Sequence, residues 1–469
     1  MAKQTGMLFK MWVLGLGTFF SKLAVLLMMP LYSAALTPAE FGRVDILVNT
    51  AVLLIPLCAL YAPEAVFRFA AGGEREGDVL AVGGWLLRRG GVILAVVLPI
   101  IAFFSALRPY VLHIALYVLA AIFHSYYSHV LRARGEYGFY AVQQIFSTLV
   151  TVLMMFLFLT VWRLGVGGYL AAVYAADMVT AILLQVYLRP KSAKQTPTAL
   201  RSAMLHYGLP LIPTALLWWL LSALDRYVLL WFHGSGAVGI YAAAYKLPAL
   251  ITLAASVFLE VWHYAVLHTE GSACENMFNR VYGMLLPILF GCTLGLILLV
   301  RPLIKLFLAA DFGDTVRFVP LLAVAALFSA LSTFLGSVYT VKLRSGGTLT
   351  SVMFGVAVHG ALCFLLIPKY AILGAVFATL FSSVALFCCR AISCKKMLPF
   401  SLRIGKMMLG CGGLVTAAFA SMVGNLPLAL ACVPSVFLPF WREIGEATRI
   451  LHNKIRKMRI WGLKKEKRS

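Results

Sequence analysis

Long runs of apolar residues recur along the whole chain, separated by short polar stretches. The first two cover residues 11–35 and 44–68 and are joined by a short turn that contains the sequence TPAEFG. Runs of 18 or more residues are long enough for a helix to cross the hydrocarbon core of a bilayer, which is about 30 Å thick. Because these runs are continuously apolar, without the alternation of transmembrane strands, the pattern favours helices over a barrel.

The pattern predicts an all-α polytopic membrane protein with about fourteen transmembrane helices. The last predicted span is short and could instead be re-entrant, which leaves twelve or thirteen as alternative counts. The predicted spans cover residues 11–35, 44–68, 85–107, 110–131, 138–161, 166–188, 205–232, 237–267, 280–300, 318–341, 348–367, 371–393, 404–423 and 426–440.

Composition and charge agree with a membrane protein. The 469 residues are 62% hydrophobic and 12% charged, whereas globular domains are nearer half apolar and a quarter charged. The net charge of +23 would favour a nucleic-acid partner in a soluble protein, but here the basic residues concentrate in alternate loops. With the N-terminus in the cytoplasm, 30 of the 40 lysines and arginines fall on the cytoplasmic side and seven outside. The positive-inside rule therefore puts both termini in the cytoplasm, and no nucleic-acid partner is expected.

An internal repeat relates the two halves of the chain. Gly42 and Gly239 each follow a long apolar span and open another, and aligning them gives an offset of 197 residues. The same offset aligns Asn49 with Lys246. Since six spans, an even number, fit within the offset, the halves have the same topology and a pseudo-twofold axis along the membrane normal.

The repeat divides the chain into five parts. We predict an N-terminal six-helix bundle at 1–190, a cytoplasmic linker at 191–202, a C-terminal six-helix bundle at 203–396, two appended helices at 397–440 and a basic amphipathic cytoplasmic tail at 441–469. The tail is expected to lie on anionic lipids of the inner leaflet. A solvated tail without a role toward substrate fits its sequence equally well.

Motifs of enzymes are absent from the sequence. It contains no P-loop, no H-E-x-x-H and no G-x-S-x-G elbow. The nine cysteines lack the spacing of a zinc or redox site. The longest predicted outer loop, residues 301–317, is short for the acceptor site of a membrane glycosyltransferase. We therefore expect a protein that is not an enzyme and that needs no cofactor or metal.

Ionisable residues inside predicted spans are the candidate functional groups. Each costs about 2.5–3.5 kcal/mol at the centre of a helix, so it should face a cavity or a partner. Lys22, Arg226 and Lys246 are interpreted as cations that line a central cleft, with buried ion pairs or snorkelling as the alternative. Cationic walls suit an anionic ligand, and phosphate is the obvious candidate. Asn49, aligned with Lys246, is placed at the same cleft.

Acidic residues provide candidates for ion coupling or gating. Asp177 could accept a coupling proton or cation, or bond across to another helix. Asp225 beside Arg226 reads more as a structural charge pair. Glu64 lies one turn before Arg68, which either forms an inner gate with it or marks the cytoplasmic boundary. Three histidines are interpreted as packed or interfacial residues instead of ligands: His124, His129 and His359.

Particular motifs resemble the bacterial oligosaccharide flippases, also called polysaccharide biosynthesis or O-antigen flippase proteins, of the multidrug/oligosaccharidyl-lipid/polysaccharide exporter superfamily. The resemblance covers the whole chain in topology but specific motifs only in spans 1–2 and 7–8. These motifs are TFFSK at 18–22, PLY at 30–32, LTPAEFG at 36–42, EAVFRF at 64–69, DRY at 225–227 and VGIYAAAYK at 238–246.

The resemblance implies a flippase of the bacterial cytoplasmic membrane that moves undecaprenyl-pyrophosphate-linked oligosaccharide to the outer leaflet by alternating access. It places five residues in or near the cleft: Lys22, Asn49, Arg68, Arg226 and Lys246. Coupling to H⁺ or Na⁺ would use the acidic residues Glu64, Asp177, Asp225 and Glu260. We expect a monomer, with glycosyltransferases or a polymerase of the same pathway as further partners.

Three alternatives remain open from the sequence. A lipid II flippase shares the topology, but those proteins carry several arginines in the first spans, where this chain has only Lys22. A drug or cation antiporter of the same superfamily would use acidic residues, and Asp177 and Glu260 could serve. A membrane-embedded glycan polymerase or ligase is the remote alternative.

Overall fold

The computed structural model describes residues 27–104, 107–191, 193, 196–267, 271–342, 344–445 and 449. Within these ranges the chain is helical and contains no β-strand. The α-helices, in chain order, are α1 (Met29–Ala35), α2 (Pro38–Ala59), α3 (Ala62–Ala71), α4 (Glu76–Phe103), α5 (Val111–Ala133), α6 (Tyr137–Met155), α7 (Gly165–Leu188), α8 (Thr198–Gly208), α9 (Leu211–Lys246), α10 (Ala249–Leu267), α11 (Gly271–Phe307), α12 (Val319–Val341), α13 (Ser345–Met397), α14 (Ile404–Val423), α15 (Leu426–Ala431) and α16 (Val433–Phe437).

Shorter non-α segments connect or extend some of these helices. A π-helix, Phe156–Val161, continues α6. Three 3₁₀ segments occur at Arg108–Tyr110, Ala310–Arg317 and Leu438–Phe440. The second of these joins α11 to α12, and it packs against the start of α2, as described below.

The predicted all-α membrane architecture is confirmed. Among the described residues, eleven helical stretches are long and apolar enough to cross a membrane. Two of them contain a break: Thr198–Lys246 at Gly234, and Gly346–Met397 at Ala371. Counted across these breaks, every predicted span from the second to the fourteenth corresponds to a helix. Most of the first predicted span lies outside the described residues, and α1 covers its end.

Several predicted spans are interrupted. The second is divided into α2 and α3, because Leu60 and Tyr61 both adopt positive φ, at +49° and +54°. The eighth is divided at Pro248, which has no N–H to continue the helical ladder of α9. The fourteenth consists of short pieces that begin at prolines, although Leu426–Gly445 as a whole is a candidate span of 20 residues.

Burial differs between helices in the way that a bilayer requires. α12 is the most enclosed candidate span, since 83% of its most apolar segment is buried. It packs against α10, α11, α13 and α14. α4 and α6 are only 22% and 17% buried although they are strongly apolar. Exposed apolar side chains on α4, such as Val92 and Val96, would be unfavourable in water but suit contact with lipid.

Candidate functional site at the interface of the two halves

The two halves meet most closely at a pair of glycines. A Cβ atom on Gly42 would lie 1.9 Å from the carbonyl oxygen of Ser235, and one on Gly239 would lie 1.8 Å from that of Pro38. Only glycine permits α2 and α9 to approach so closely. These glycines are the residues that the internal repeat aligns, and equivalent residues in mutual contact are expected where a twofold axis passes.

Aromatic packing closes this end of the interface. Phe41 stacks on Tyr32 with ring centroids 5.2 Å apart and meets the ring of Phe312 edge-on at 5.9 Å. The backbone N–H of Ala309 donates to Ser33 Oγ at 3.1 Å. Residues from both halves therefore seal the end that the distribution of basic residues predicts to be extracytoplasmic.

A buried ion cluster lies next to the glycine contact. Arg226 Nε on α9 is 2.8 Å from Asp45 Oδ2 on α2, and its Nη1 is 3.2 Å from Asp225 Oδ1. The three side chains are only 8%, 13% and 2% exposed. The Asp45–Arg226 pair connects the two halves, whereas Asp225–Arg226 is local to α9. The prediction of Asp225 beside Arg226 as a charge pair agrees with this geometry.

Hydrogen bonds hold the two carboxylates in place. Tyr241 donates to Asp225 Oδ2 at 2.5 Å, and Thr379 Oγ1 on α13 lies 3.1 Å from the same oxygen. Asn49 Nδ2 donates to the backbone oxygen of Asp45 at 2.8 Å and to its Oδ2 at 3.2 Å. Lys246, at the end of α9, is within Coulombic range of Asp45. The cluster thus brings Arg226 and Lys246 close to the carboxylates of Asp45 and Asp225.

A cavity of about 430 Å³ opens farther along the same helices, away from the glycine contact. It lies between α2, α3 and α5 of the first half and α9 of the second. Among its described lining residues, Glu64 is the one charged side chain. Its other lining residues with polar groups are Asn49, Tyr61, Ser125, Trp218, Trp219 and Ser222. Such a wall offers hydrogen-bonding groups and aromatic faces, both of which can contact a sugar.

Two contacts join the cluster to the cavity. Trp219 Nε1 donates to the carbonyl oxygen of Asn49 at 2.8 Å, and the hydroxyls of Thr50 and Tyr227 are 2.8 Å apart. Both contacts connect α2 with α9. The helix pair is therefore linked by polar bonds from the ion cluster to the wall of the cavity.

The structure brings some of the predicted cleft residues together and separates others. Asn49, Arg226 and Lys246 belong to the ion cluster, and Asn49 also lines the cavity. Arg68 is exposed, and its guanidinium lies 4.8 Å from the ring centre of Tyr207 on α8. Lys22 lies outside the described residues, as does the side chain of Glu260 on α10. A role of these residues in substrate binding stays a prediction.

Asp177 bonds across to another helix, one of the two alternatives predicted for it. Its Oδ1 on α7 is 2.7 Å from Nδ1 of His124 on α5. Nε2 of the same imidazole is 3.0 Å from Oε1 of Gln143 on α6. His124 therefore connects three helices of the first half and carries a titratable ring inside a predicted span. His124 is therefore more than the packed residue that its sequence indicates, since it bonds to both Asp177 and Gln143.

A buried arginine in the second half has no acidic partner in the described part of the chain. Arg390 on α13 is 2% exposed. Its Nε donates to Ser351 Oγ at 3.1 Å and its Nη1 to the carbonyl oxygen of Ser332 at 2.9 Å, while Nη2 has no partner. Its guanidinium carbon is 5.6 Å from the ring centre of Trp218, a residue of the cavity wall.

Sequence reasoning missed both Asp45 and Arg390 as buried charges. Asp45 lies at the start of its predicted span, and its spacing of four residues from Asn49 is the signal for a shared helix face. Arg390 lies three residues inside the predicted end of its span, which is a signal for burial. A buried charge is inexpensive only beside a partner, and its partners come from distant parts of the sequence.

More than half of the sequence matches a known family. Residues 8–263, more than half of the chain, match the polysaccharide biosynthesis protein family. The chain belongs to this family. The match includes α1–α9, which supply the glycine contact, the ion cluster and most of the cavity. It confirms the resemblance drawn from the motifs of spans 1–2 and 7–8. No curated individual protein matches the sequence.

Solved structures share the fold at low sequence identity. The lipid II flippase MurJ, in an inward closed conformation, has a TM-score of 0.67 and 14% identity, covering 93% of this chain and 99% of MurJ. A mutant of the Vibrio cholerae MATE transporter VcmN has a TM-score of 0.60 and 15% identity, covering 84% and 99%. An inward-facing MATE family transporter of the MOP superfamily has a TM-score of 0.57 and 16% identity, covering 83% and 93%. The chain therefore has the fold of these transporters.

Proposed function

We propose that this protein is a flippase that moves undecaprenyl-pyrophosphate-linked oligosaccharide from the inner to the outer leaflet of a bacterial cytoplasmic membrane. The observation that carries the proposal is the match to the polysaccharide biosynthesis family over residues 8–263. The fold shared with MurJ, a flippase of another lipid-linked glycan, supports a lipid-linked substrate. The interface between the halves supplies the cavity for its headgroup.

Alternating access would open the end that is closed in this structure. Separating α2 from α9 there breaks the glycine contact and removes Asp45 from Arg226. The second half then presents Arg226 and Lys246 against the single carboxylate of Asp225, a net positive charge. A pyrophosphate can replace Asp45 as the partner of these cations and thereby offset the cost of opening. A ligand shifts a conformational equilibrium only by its differential affinity for the two states, and this exchange provides one.

Sugars and lipid would occupy different surroundings. The sugars fill the cavity beside Asn49, Trp219 and Ser222, and the polyprenyl chain remains in the bilayer. With an inside-negative potential, outward movement of the anionic headgroup is favoured by about 2.3 kcal/mol per charge per 100 mV. Protonation of the His124–Asp177 pair is the candidate step for coupling to a proton gradient, with Na⁺ as the alternative ion. Glu64 at the cavity and Glu260 on α10 are candidates for the gate.

The test is translocation of a fluorescent lipid-linked oligosaccharide in vesicles that contain the full-length protein. Lys22→Ala combined with Lys246→Ala should abolish movement of the headgroup while the protein is still inserted at the normal level. Lys305→Ala combined with Lys369→Ala removes two exposed lysines elsewhere and should leave translocation unchanged. Full activity of the first double variant would contradict a cationic cleft.

The same vesicles distinguish the alternatives. Preference for lipid II over other lipid-linked glycans would assign the protein to that substrate. The drug or cation antiporter has one observation in its favour, since the charged lining of the described cavity is the carboxylate of Glu64. Export of organic cations without glycolipid movement would establish it. Glycan elongation or ligation by purified protein and lipid-linked donor would replace the transporter by an enzyme.

A further inference from the structure

A second cavity, of about 360 Å³, lies at the other end of the second half. It is formed where α12 ends and where α13 both begins and ends, on the side predicted to be cytoplasmic. Arg344 and Lys396 line it as exposed cations. Thr350 and Ser393 add hydroxyl groups, and none of its described lining residues is acidic. A cavity with cations, hydroxyl donors and no carboxylate suits an anion.

The wall of this cavity is connected to the buried guanidinium of Arg390. Ser351 lines the cavity, is 2% exposed, and accepts a hydrogen bond from Arg390 Nε at 3.1 Å. Arg390 has no ion-pair partner among the described residues, and its Nη2 is unbonded. An unneutralised buried charge is costly, and a nearby anion reduces that cost. The positive potential at the cavity thus comes from Arg344, the N-cap of α13, and from Arg390 and Lys396 on α13.

We propose that this cavity is a binding site for a phosphate group. Arg344 and Lys396 contact the phosphate oxygens, and Arg390 contributes positive potential through Ser351. The Thr350 hydroxyl, which donates to the backbone oxygen of Gly346 at 3.0 Å in this structure, turns to donate to the phosphate together with that of Ser393. The phosphate belongs either to the headgroup of an inner-leaflet phospholipid or to a free phosphate ion. None of the residues that line this cavity lines the interface cavity. The residues that contact the phosphate are therefore separate from the interface cavity, and Arg390, 5.6 Å from the ring centre of Trp218, is the link between the two.

The experiment measures two probes on the full-length protein in nanodiscs. In discs of phosphatidylcholine, inorganic phosphate is titrated by calorimetry. In discs that contain equal amounts of phosphatidylcholine and phosphatidylglycerol, lipid retained by the protein is measured by native mass spectrometry. Binding in the first arm identifies a free phosphate, and selective retention of phosphatidylglycerol alone identifies a lipid headgroup. Binding of neither probe overturns the proposal.

Variants show whether binding occurs in this cavity. Arg344→Gln combined with Lys396→Gln should weaken binding about thirtyfold, since each basic residue near an anionic surface contributes about fivefold. The control, Lys342→Gln with Lys395→Gln, removes two charges of the same region that do not line the cavity. An equal loss in the control, or unchanged binding in the first pair, overturns the proposal.

A second pair of variants keeps the proposal testable if the charge variants fail to fold. Thr350→Val combined with Ser393→Ala removes hydroxyl groups from the cavity and changes no charge. About tenfold weaker binding of the same probe is expected, because two hydrogen bonds to the phosphate are lost. Unchanged binding would overturn the assignment of these hydroxyls and of the cavity.

Discussion

Replacing Gly239 by alanine tests whether the glycine contact holds the closed end of the interface. The new Cβ would lie 1.8 Å from the carbonyl oxygen of Pro38, whereas an ordinary contact is 3.4 Å or more. The obstacle is backbone on a neighbouring helix, so no side chain can rotate away from it. α2 and the part of α9 that follows its break at Gly234 must therefore move apart.

The cost falls on the closed state alone, because the contact is absent once the helices separate. Inserting a methyl group into a tightly packed site costs about 1–3 kcal/mol. The population of the state opened at this end should therefore rise about 5- to 150-fold. Gly236→Ala is the matched control on the same helix, because a Cβ there has no atom within 4 Å.

Hydrogen–deuterium exchange of the full-length protein in nanodiscs measures the shift without added labels. Amides of residues 38–46 and 236–244 should exchange faster in Gly239→Ala by the same factor, if they exchange from the opened state. Amides of α4, on the lipid-facing side of the first half, should be unchanged. Protection equal to that of the unmodified protein, or an equal loss in Gly236→Ala, would refute the reasoning.

Two further predictions concern the buried charges. Asp45→Asn should lower the free energy of unfolding by about 3 kcal/mol, because breaking a buried pair leaves a charge uncompensated. The exposed control Asp314→Asn should change it by less than about 0.5 kcal/mol. Thermal denaturation in detergent compares the two variants, and equal stability would show that Asp225 alone neutralises Arg226. Asp177→Asn should reduce the acceleration of translocation by an imposed pH gradient about 10²-fold, the lower end of the loss that is typical for a proton-transfer group. His124→Gln should have the same effect, and an undiminished response in both variants would exclude this pair from proton coupling.

The fold could be predicted because hydropathy reports directly on the solvent of each segment. A span must satisfy its backbone within a helix, so length and apolarity are sufficient evidence for it. The breaks at Leu60 and Pro248, which lie inside the predicted spans 44–68 and 237–267, were not predicted. Such breaks depend on packing between the halves as much as on local preference, which apolar content does not record.

The site could be predicted only in part. The repeat aligned Gly42 with Gly239, and the structure places these residues in contact. Asp45 was missed because Arg226, the partner that stabilises its buried charge, is 181 positions away in the sequence. His124 was treated as packing for the same reason, since Asp177 and Gln143 reach it from other helices. Pairings across a bundle require the arrangement of the helices.

The position of the glycine contact also determines how far the other end of the interface moves when the halves rotate. Seventeen residues separate Gly42 from the end of α2 at Ala59, about 26 Å at 1.5 Å per residue. If the halves rock as rigid bodies about this contact by about 15°, the far end of α2 moves by about 7 Å. A rotation about a contact that is kept at one end of the interface thus opens a gap as wide as a sugar ring at the other end. The position of two glycines would thus determine how far the other end of the interface opens.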